Sequence, residues 1–295
     1  MTATSPVRVG LVGAGPWAEL VHAPIFAVGP ETRLVGIWAR RPEAAAALAA
    51  RHDSEPIDRV EDLFERCEAV VFSVPPAVQA PIAIEAARHG CALVLEKPIA
   101  ADLEMAERLT EAVEEAGVPS MIVLTWRYTA LVREFLAAAA SFDAYGGRGE
   151  FLAGGLLDGP FRTPWRFEAG PLLDLGPHVI DLLDAALGPV VEVDAAASRS
   201  ERWVTLELGH ESGAVSQAVV CSHTALDPSR TGAQLYGEAG VLEVDCVRAT
   251  GPEAFATVRA ELAGLVRDGG THPLAVGRGL HLQRIIDRAQ RRLTG

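Results

Sequence analysis

Of the 26 basic residues in this 295-residue chain, 25 are arginine and one, Lys97, is lysine. An ammonium can hold and release a proton during a reaction, whereas a guanidinium stays charged throughout. A single lysine kept in Leu95-Glu96-Lys97-Pro98 invites a chemical reason, although a leftover surface lysine would look the same. Asp174, His178 and Asp181 follow at spacings of four and three within Gly170-Pro171-Leu172-Leu173-Asp174-Leu175-Gly176-Pro177-His178-Val179-Ile180-Asp181. If that stretch is helical, the three share one face. Alone they would also fit a satisfied capping network; combined with Lys97 they have the residue types of acid–base chemistry.

A third pattern is Gly13-Ala14-Gly15-Pro16-Trp17-Ala18, a GxGxxG/A match directly after an apolar β-branched run. Gly13 permits the tight turn, Gly15 lets the backbone approach a pyrophosphate, and the helix N-terminus that follows faces the negative charge. The end of the second strand then decides which dinucleotide. An acidic residue there binds ribose hydroxyls and repels an added phosphate. This chain has Ala39-Arg40-Arg41 instead, which predicts NADP in preference to NAD, with NAD still possible. The alternative is that the two arginines cap a surface loop. The expected cofactor-binding set is Gly13, Ala14, Gly15, Pro16, Trp17, Arg40, Arg41, Ser73, Pro75, Glu96 and Lys97.

The elements that position these residues are legible as short apolar runs alternating with helical patterns. Strands are expected at 7–12, 33–38, 69–74, 92–95 and 121–125, and helices at 17–27, 42–51, 77–89 and 102–116. Such alternation predicts a buried, doubly wound parallel sheet. Lys97 then falls at the carboxyl edge of the fourth strand, the side where such sheets bind ligands. Asp102 reads as an N-cap and Gly117 as a C-cap, and Pro24 should kink or end the first helix. Beyond residue 140 strands succeed one another at 150–157, 190–197, 203–208, 214–220, 232–236 and 241–244, after a turn at Gly146-Gly147. These predict a mainly antiparallel sheet, with helices at 177–187 and 277–292. The expected domains are 1–125 for the dinucleotide and 126–295 for substrate, with a crossing helix at 128–140.

Composition narrows the class. A net charge of −13 repels phosphate backbones and anionic lipid, so neither a nucleic acid nor a membrane is an expected partner. The apolar stretches are too short to span a bilayer, and a cytoplasmic location is expected. Cys67, Cys91, Cys221 and Cys246 are scattered and read as reduced, buried thiols. The histidines form no HxH or HxxxH pair, so no metal site is indicated.

Taken together, VGLVGAGPWA at the start, EKP at 96–98, WRY around Arg127, GPLLDLGPHVID at 170–181 and YGEAGVLEVD at 236–245 make the chain resemble the Gfo/Idh/MocA oxidoreductases. The resemblance spans nearly the whole length. It implies an N-terminal Rossmann domain and a C-terminal α/β domain whose open, mainly antiparallel sheet forms homodimer or homotetramer contacts. It places the family's catalytic lysine on Lys97, its substrate-binding aspartate on Asp174 and its catalytic histidine on His178, and implies a cis peptide before Pro98. Arg127, Arg162, Trp165 and Arg166 are further substrate candidates, each fitting ordinary packing or a surface ion pair equally well. Two departures stand out: Ala169-Gly170-Pro171 replaces the frequent glycine triplet, and Gln79 stands where many members carry histidine.

The reaction implied is hydride transfer between a nicotinamide and a hydroxyl or carbonyl carbon of a sugar, sugar derivative or cyclitol, without a metal. A substrate hydroxyl would lie between Lys97 and His178, either of which can serve as the formal acid or base, with Asp174 orienting the substrate. Two alternatives stay open: a non-catalytic dinucleotide-binding sensor or regulator on the same scaffold, and a hydrolase or lyase that borrows the cofactor transiently.

Overall fold

The computed structural model describes residues 5–249 and 251–294. They form two compact units. The first comprises residues up to Val123 together with Phe255–Leu280, a stretch that the sequence-based division places in the second domain.

The core of the first unit is a five-stranded, all-parallel sheet in the order β2-β1-β3-β4-β5. Its strands are β1 (Val7–Val12), β2 (Thr32–Trp38), β3 (Ala69–Phe72), β4 (Ala92–Leu95) and β5 (Ser120–Ile122). β3 and β4 are buried at every residue, as continuous apolar strands covered on both faces must be. Among the crossover helices are α2 (Pro42–Arg51), α4 (Pro76–Arg88) and α5 (Leu103–Ala116). Asp102 caps α5 by accepting from the Met105 N–H (2.8 Å), and Gly117 ends it in a left-handed conformation.

The irregularity expected at Pro24 takes the form of a change of helix type just before it. The chain widens into a π-helical turn, Ala18–His22, in which the Ala23 N–H reaches the Ala18 carbonyl. Helix α1 (Ala23–Ala27) then starts with Pro24 in its first turn, where a missing N–H costs nothing. Two helices lie outside the sequence-based expectation. In α3 (Val60–Phe64) the buried Leu63 fills the space that side chains on Gly10 and Gly36 would occupy. In α8 (Pro252–Asp268), Arg259 pairs with Glu31 (2.9 Å) and so ties the returning segment to the turn before β2.

The second unit is built on a six-stranded sheet in the order β11-β10-β6-β9-β8-β7. The strands are β6 (Ala144–Leu152), β7 (Val190–Ala197), β8 (Val204–His210), β9 (Val215–Cys221), β10 (Arg230–Gly237) and β11 (Gly240–Asp245). All pairings are antiparallel except β6 with β9. The expected Gly146-Gly147 turn is corrected here, because both residues lie inside β6. A Cβ on Gly146 would collide with the Val215 carbonyl, and one on Gly147 would come within 2.9 Å of the Gln234 carbonyl. These glycines therefore serve close strand approach. Gly149, also in β6, lets Val179 and Leu183 of α7 (Pro164–Leu187) press onto the sheet. Helices α6 (Ala130–Ala139) and α9 (Val276–Thr294) are the remaining α-helices among the described residues.

All four cysteines are buried and free. Burial and the neighbouring Asp245 carboxylate push the Cys246 thiol up to about 12, where it is no nucleophile at neutral pH.

Candidate active site

In the first unit the winding of the sheet reverses between β1 and β3, since β2 lies on one side of β1 and the remaining strands on the other. Loops leaving the carboxyl ends of β1 and β3 diverge there, and open α/β sheets bind ligands in that crevice. Gly13 leaves β1 with φ +121°, and its N–H donates to the Trp38 carbonyl at the end of β2 (2.8 Å). A side chain on Gly13 would strike the Ser73 carbonyl at the end of β3. The chain continues through Ala14 to Gly15, whose carbonyl accepts from Glu19, with Pro16 and Trp17 already helical. Apart from Gly15 itself and its two chain neighbours, no described residue places an atom within 4 Å of where a Gly15 Cβ would sit, so packing does not demand glycine there. The bare backbone is left open to an external group.

Ser73 supplies an independent sign. Its hydroxyl is buried and has no hydrogen-bond partner among the described residues. Such a group costs about 1–3 kcal/mol when nothing satisfies it. A glycine loop opening a helix, an open approach at Gly15 and an unsatisfied hydroxyl beside them fit a dinucleotide pyrophosphate. Pro75 is the N-cap of α4, and its carbonyl accepts from Val78 and Gln79. Arg40 and Arg41 follow β2 with exposed side chains that have no ion-pair partner among the described residues. The Arg41 main chain caps α2, its carbonyl receiving the Ala44 and Ala45 N–H groups, and both guanidinium groups remain available.

At the same sheet edge, β4 ends in Glu96-Lys97-Pro98, and the Lys97–Pro98 peptide is cis. The fully buried Gln79 of α4 holds this segment through its side-chain amide. Its oxygen accepts from the Glu96 N–H (2.8 Å), and its nitrogen donates to the carbonyls of Glu96 (2.8 Å), Ile99 (3.1 Å) and Pro98 (3.3 Å). The Glu96 side chain turns the other way. Its Oε1 accepts from Trp17 Nε1 (2.7 Å) and meets His22 Nε2 (2.7 Å). The glycine-loop helix and the lysine loop are thus joined through one carboxylate oxygen. Neither the Gln79 contacts nor the His22 contact is expected from local pattern; Gln79 is marked only as a polar side chain within the apolar run of α4 and as a departure from the histidine frequent in the family.

In the second unit the site residues lie on α7, which bends at Gly170 (φ +68°). The helix continues from Pro171, so it starts six residues before the expected Pro177 and includes Asp174, His178 and Asp181. All three are buried, as is Asp184. Asp174 receives Arg166 Nη1 (2.5 Å), whose guanidinium lies over the Trp165 ring (4.8 Å) and near that of Phe161 (5.8 Å). His178, one turn further, packs among the rings of Trp126 (5.1 Å) and Phe151 (5.9 Å). Arg127 gives Nη1 to both oxygens of Asp181 (3.0 and 2.9 Å). Asp184 accepts from the Val190 N–H (2.7 Å) and meets His281 Nε2 (2.7 Å).

The structure therefore gathers Trp165, Arg166 and Asp174 into one cluster and sets His178 one helical turn beyond it. Arg127 is bound instead to Asp181. Arg162 stands over the Phe167 ring (5.5 Å), whose edge faces His223 (5.8 Å). Among the described residues no group of histidine, cysteine, aspartate and glutamate is arranged to hold a metal ion, and no helix is long and apolar enough to cross a membrane.

Comparison with known proteins places this geometry in context. A family model described as an oxidoreductase family with an NAD-binding Rossmann fold matches residues 7–124, and a GFO/IDH/MocA C-terminal domain model matches residues 131–243. One curated relative is the dTDP-3,4-didehydro-2,6-dideoxy-α-D-glucose 3-reductase of Streptomyces violaceoruber, 28% identical over 209 residues. That match covers 69% of this chain and 61% of the relative, so the chain spans about three-fifths of the first such relatives. Among solved structures, GenD2 from gentamicin A biosynthesis in complex with NAD superposes with a TM-score of 0.88 at 18% identity, covering 100% of this chain and 96% of that one. A variant of KijD10, a 3-ketoreductase from Actinomadura kijaniata in complex with TDP-benzene and NADP, gives 0.85 at 22% identity, covering 98% of each chain.

Proposed function

Because the chain belongs to the Gfo/Idh/MocA oxidoreductase family, we propose that it transfers hydride between a nicotinamide dinucleotide and a hydroxyl or carbonyl carbon of a sugar, sugar derivative or cyclitol. The observation that carries this reading is that the only lysine stands in a fixed loop at the same sheet edge as the glycine turn and the unsatisfied Ser73 hydroxyl. When bound, the dinucleotide would supply the hydride acceptor or donor, C4 of its nicotinamide. The chain's own residues do the rest. Gly13, Ala14, Gly15, Pro16 and Trp17 offer backbone to the pyrophosphate, Ser73 donates its hydroxyl, and Pro75 and Glu96 line the neighbouring strand ends.

Lys97 stabilises negative charge developing on the substrate oxygen and carries a transferable proton. His178 exchanges a proton with the same oxygen, being the side chain whose ordinary pKa lies nearest neutrality. Asp174 accepts from a substrate hydroxyl, with Arg166 and Trp165 fixing its carboxylate. The working assembly is a homodimer or homotetramer joined through the second sheet, where Tyr145, Val191, Val215 and Val241 are exposed apolar or aromatic positions. The location is cytoplasmic.

NADP is the preferred form, because Arg40 and Arg41 offer two unpaired guanidinium groups and Ala39 offers no repelling carboxylate. One charge-assisted bond to a 2′-phosphate contributes about 1.5–3 kcal/mol, roughly tenfold to hundredfold in affinity. A fluorescence titration should give NADPH at least tenfold tighter than NADH, and Arg40→Ala with Arg41→Ala should remove that margin while leaving NADH unchanged. Tighter NADH binding would reverse the cofactor preference. Binding of neither would overturn the oxidoreductase reading; where NADPH binds as expected, a turnover screen of sugars and cyclitols with NADP tests the substrate class.

A further inference from the structure

We propose that Gln79 is a positioning residue for Lys97, an inference that rests on the catalytic reading of that lysine. The Glu96-Lys97-Pro98 segment leaves the regular ladder at the end of β4, so strand pairing no longer fixes its backbone. Gln79 takes over that task. Its amide oxygen and nitrogen pair with the N–H and C=O of Glu96, the two-point contact that a neighbouring strand would make. The two amide hydrogens are further shared with the Pro98 and Ile99 carbonyls, so donors reach the backbone on both sides of Lys97. The side chain is buried, and water cannot replace it. Backbone held on both sides confines the arc that the Lys97 ammonium can sweep, and a displacement of about 1 Å can cost a hundredfold in rate.

The chemistry of the clamp allows a test that a general packing role would not pass. Gln79→Glu has the same shape. Protonated, its carboxyl donates to the Glu96 carbonyl and accepts from the Glu96 N–H as the amide does; ionised, it has no donor and faces three carbonyl oxygens. Burial and those carbonyls raise the introduced group's pKa above the ordinary carboxylate value. The clamp is therefore intact below that raised pKa and lost as pH rises through it. Gln79→Leu lacks the clamp at every pH.

Since the chain has one lysine, reductive methylation with ¹³C-formaldehyde gives a single dimethyl-lysine signal besides that of the α-amine. This signal can be followed without cofactor or substrate. Relative to the unsubstituted protein at the same pH, the Lys97 signal should be shifted and broadened in Gln79→Leu throughout. In Gln79→Glu it should be unshifted near about pH 5.5 and Leu-like near about pH 8.5. Turnover should follow, with kcat roughly 10–100-fold lower in Gln79→Leu and NADPH affinity within about threefold of the unsubstituted value. Melting temperatures measured alongside confirm that each variant is folded. A Lys97 signal identical in all three proteins would overturn the inference, as would loss of NADPH binding as large as the loss of kcat. If the signal moves as expected while turnover does not, Gln79 positions Lys97 and the catalytic reading of Lys97 is what fails.

Discussion

Lys97→Ala and His178→Ala are each expected to lower turnover by about 10²–10⁴ while NADPH affinity stays within about threefold. The two groups reach their positions by different means. Lys97 is held through backbone, by Gln79 at Glu96 before it and at Pro98 and Ile99 after it, while the Glu96 carboxylate is separately anchored on Trp17 and His22. His178 is held through packing, its ring between those of Trp126 and Phe151 on a buried helix face. A conservative substitution separates charge from proton transfer. Lys97→Arg keeps the positive charge but has no proton to give near neutral pH, so it should stay nearly as slow as Lys97→Ala if Lys97 moves a proton. Recovery of most of the rate would assign Lys97 to charge stabilisation alone. Steady-state rates and a binding titration on each variant decide between these, and near-normal turnover in Lys97→Ala or His178→Ala would remove that residue from the mechanism.

The second large effect is on stability. Arg127→Ala should destabilise the second unit by about 1.5–3 kcal/mol, because it removes a charge-assisted hydrogen-bond donor from the buried Asp181 carboxylate. The Asp181 side chain is 2% exposed and that of Arg127 18%, and both carboxylate oxygens bond one nitrogen. Replacing the pair together, Arg127→Met with Asp181→Leu, should recover most of the loss, since apolar side chains of similar volume need no partner. Urea midpoints for the single and double variants measure this. If Arg127→Ala instead left the midpoint unchanged and raised KM, Arg127 would be a substrate contact and its pairing with Asp181 incidental.

Much of this architecture was legible from local pattern, because the signals that specify helices and strands lie within a few residues of one another. Continuous apolar runs identified the five parallel strands, and Asp102 and Gly117 marked the ends of α5. The glycine turn after β1 stood out by its neighbours in sequence, whereas the spacing of four and three put Asp174, His178 and Asp181 on one face only on condition that the helix began before Pro177, and the structure supplies that condition. Phe255, Val258, Leu262 and Leu265 repeat at helical spacing too, yet nothing in that spacing says that α8 returns to the first unit.

Local pattern was therefore enough for the parallel strands of the first unit, most of the crossover helices and the residue types at their ends. Which polar group meets which was settled by the packing of distant segments. Gln79 and Glu96 are 17 residues apart, Trp17 and Glu96 79, and Arg127 and Asp181 54. That packing likewise decided that Gly146 and Gly147 run inside a strand, because the reason for glycine there is the carbonyl of another strand. The physical ground is the same in each case. Periodicity records which face is buried, whereas a hydrogen bond depends on donor and acceptor arriving within about 3 Å, which is settled when distant segments pack.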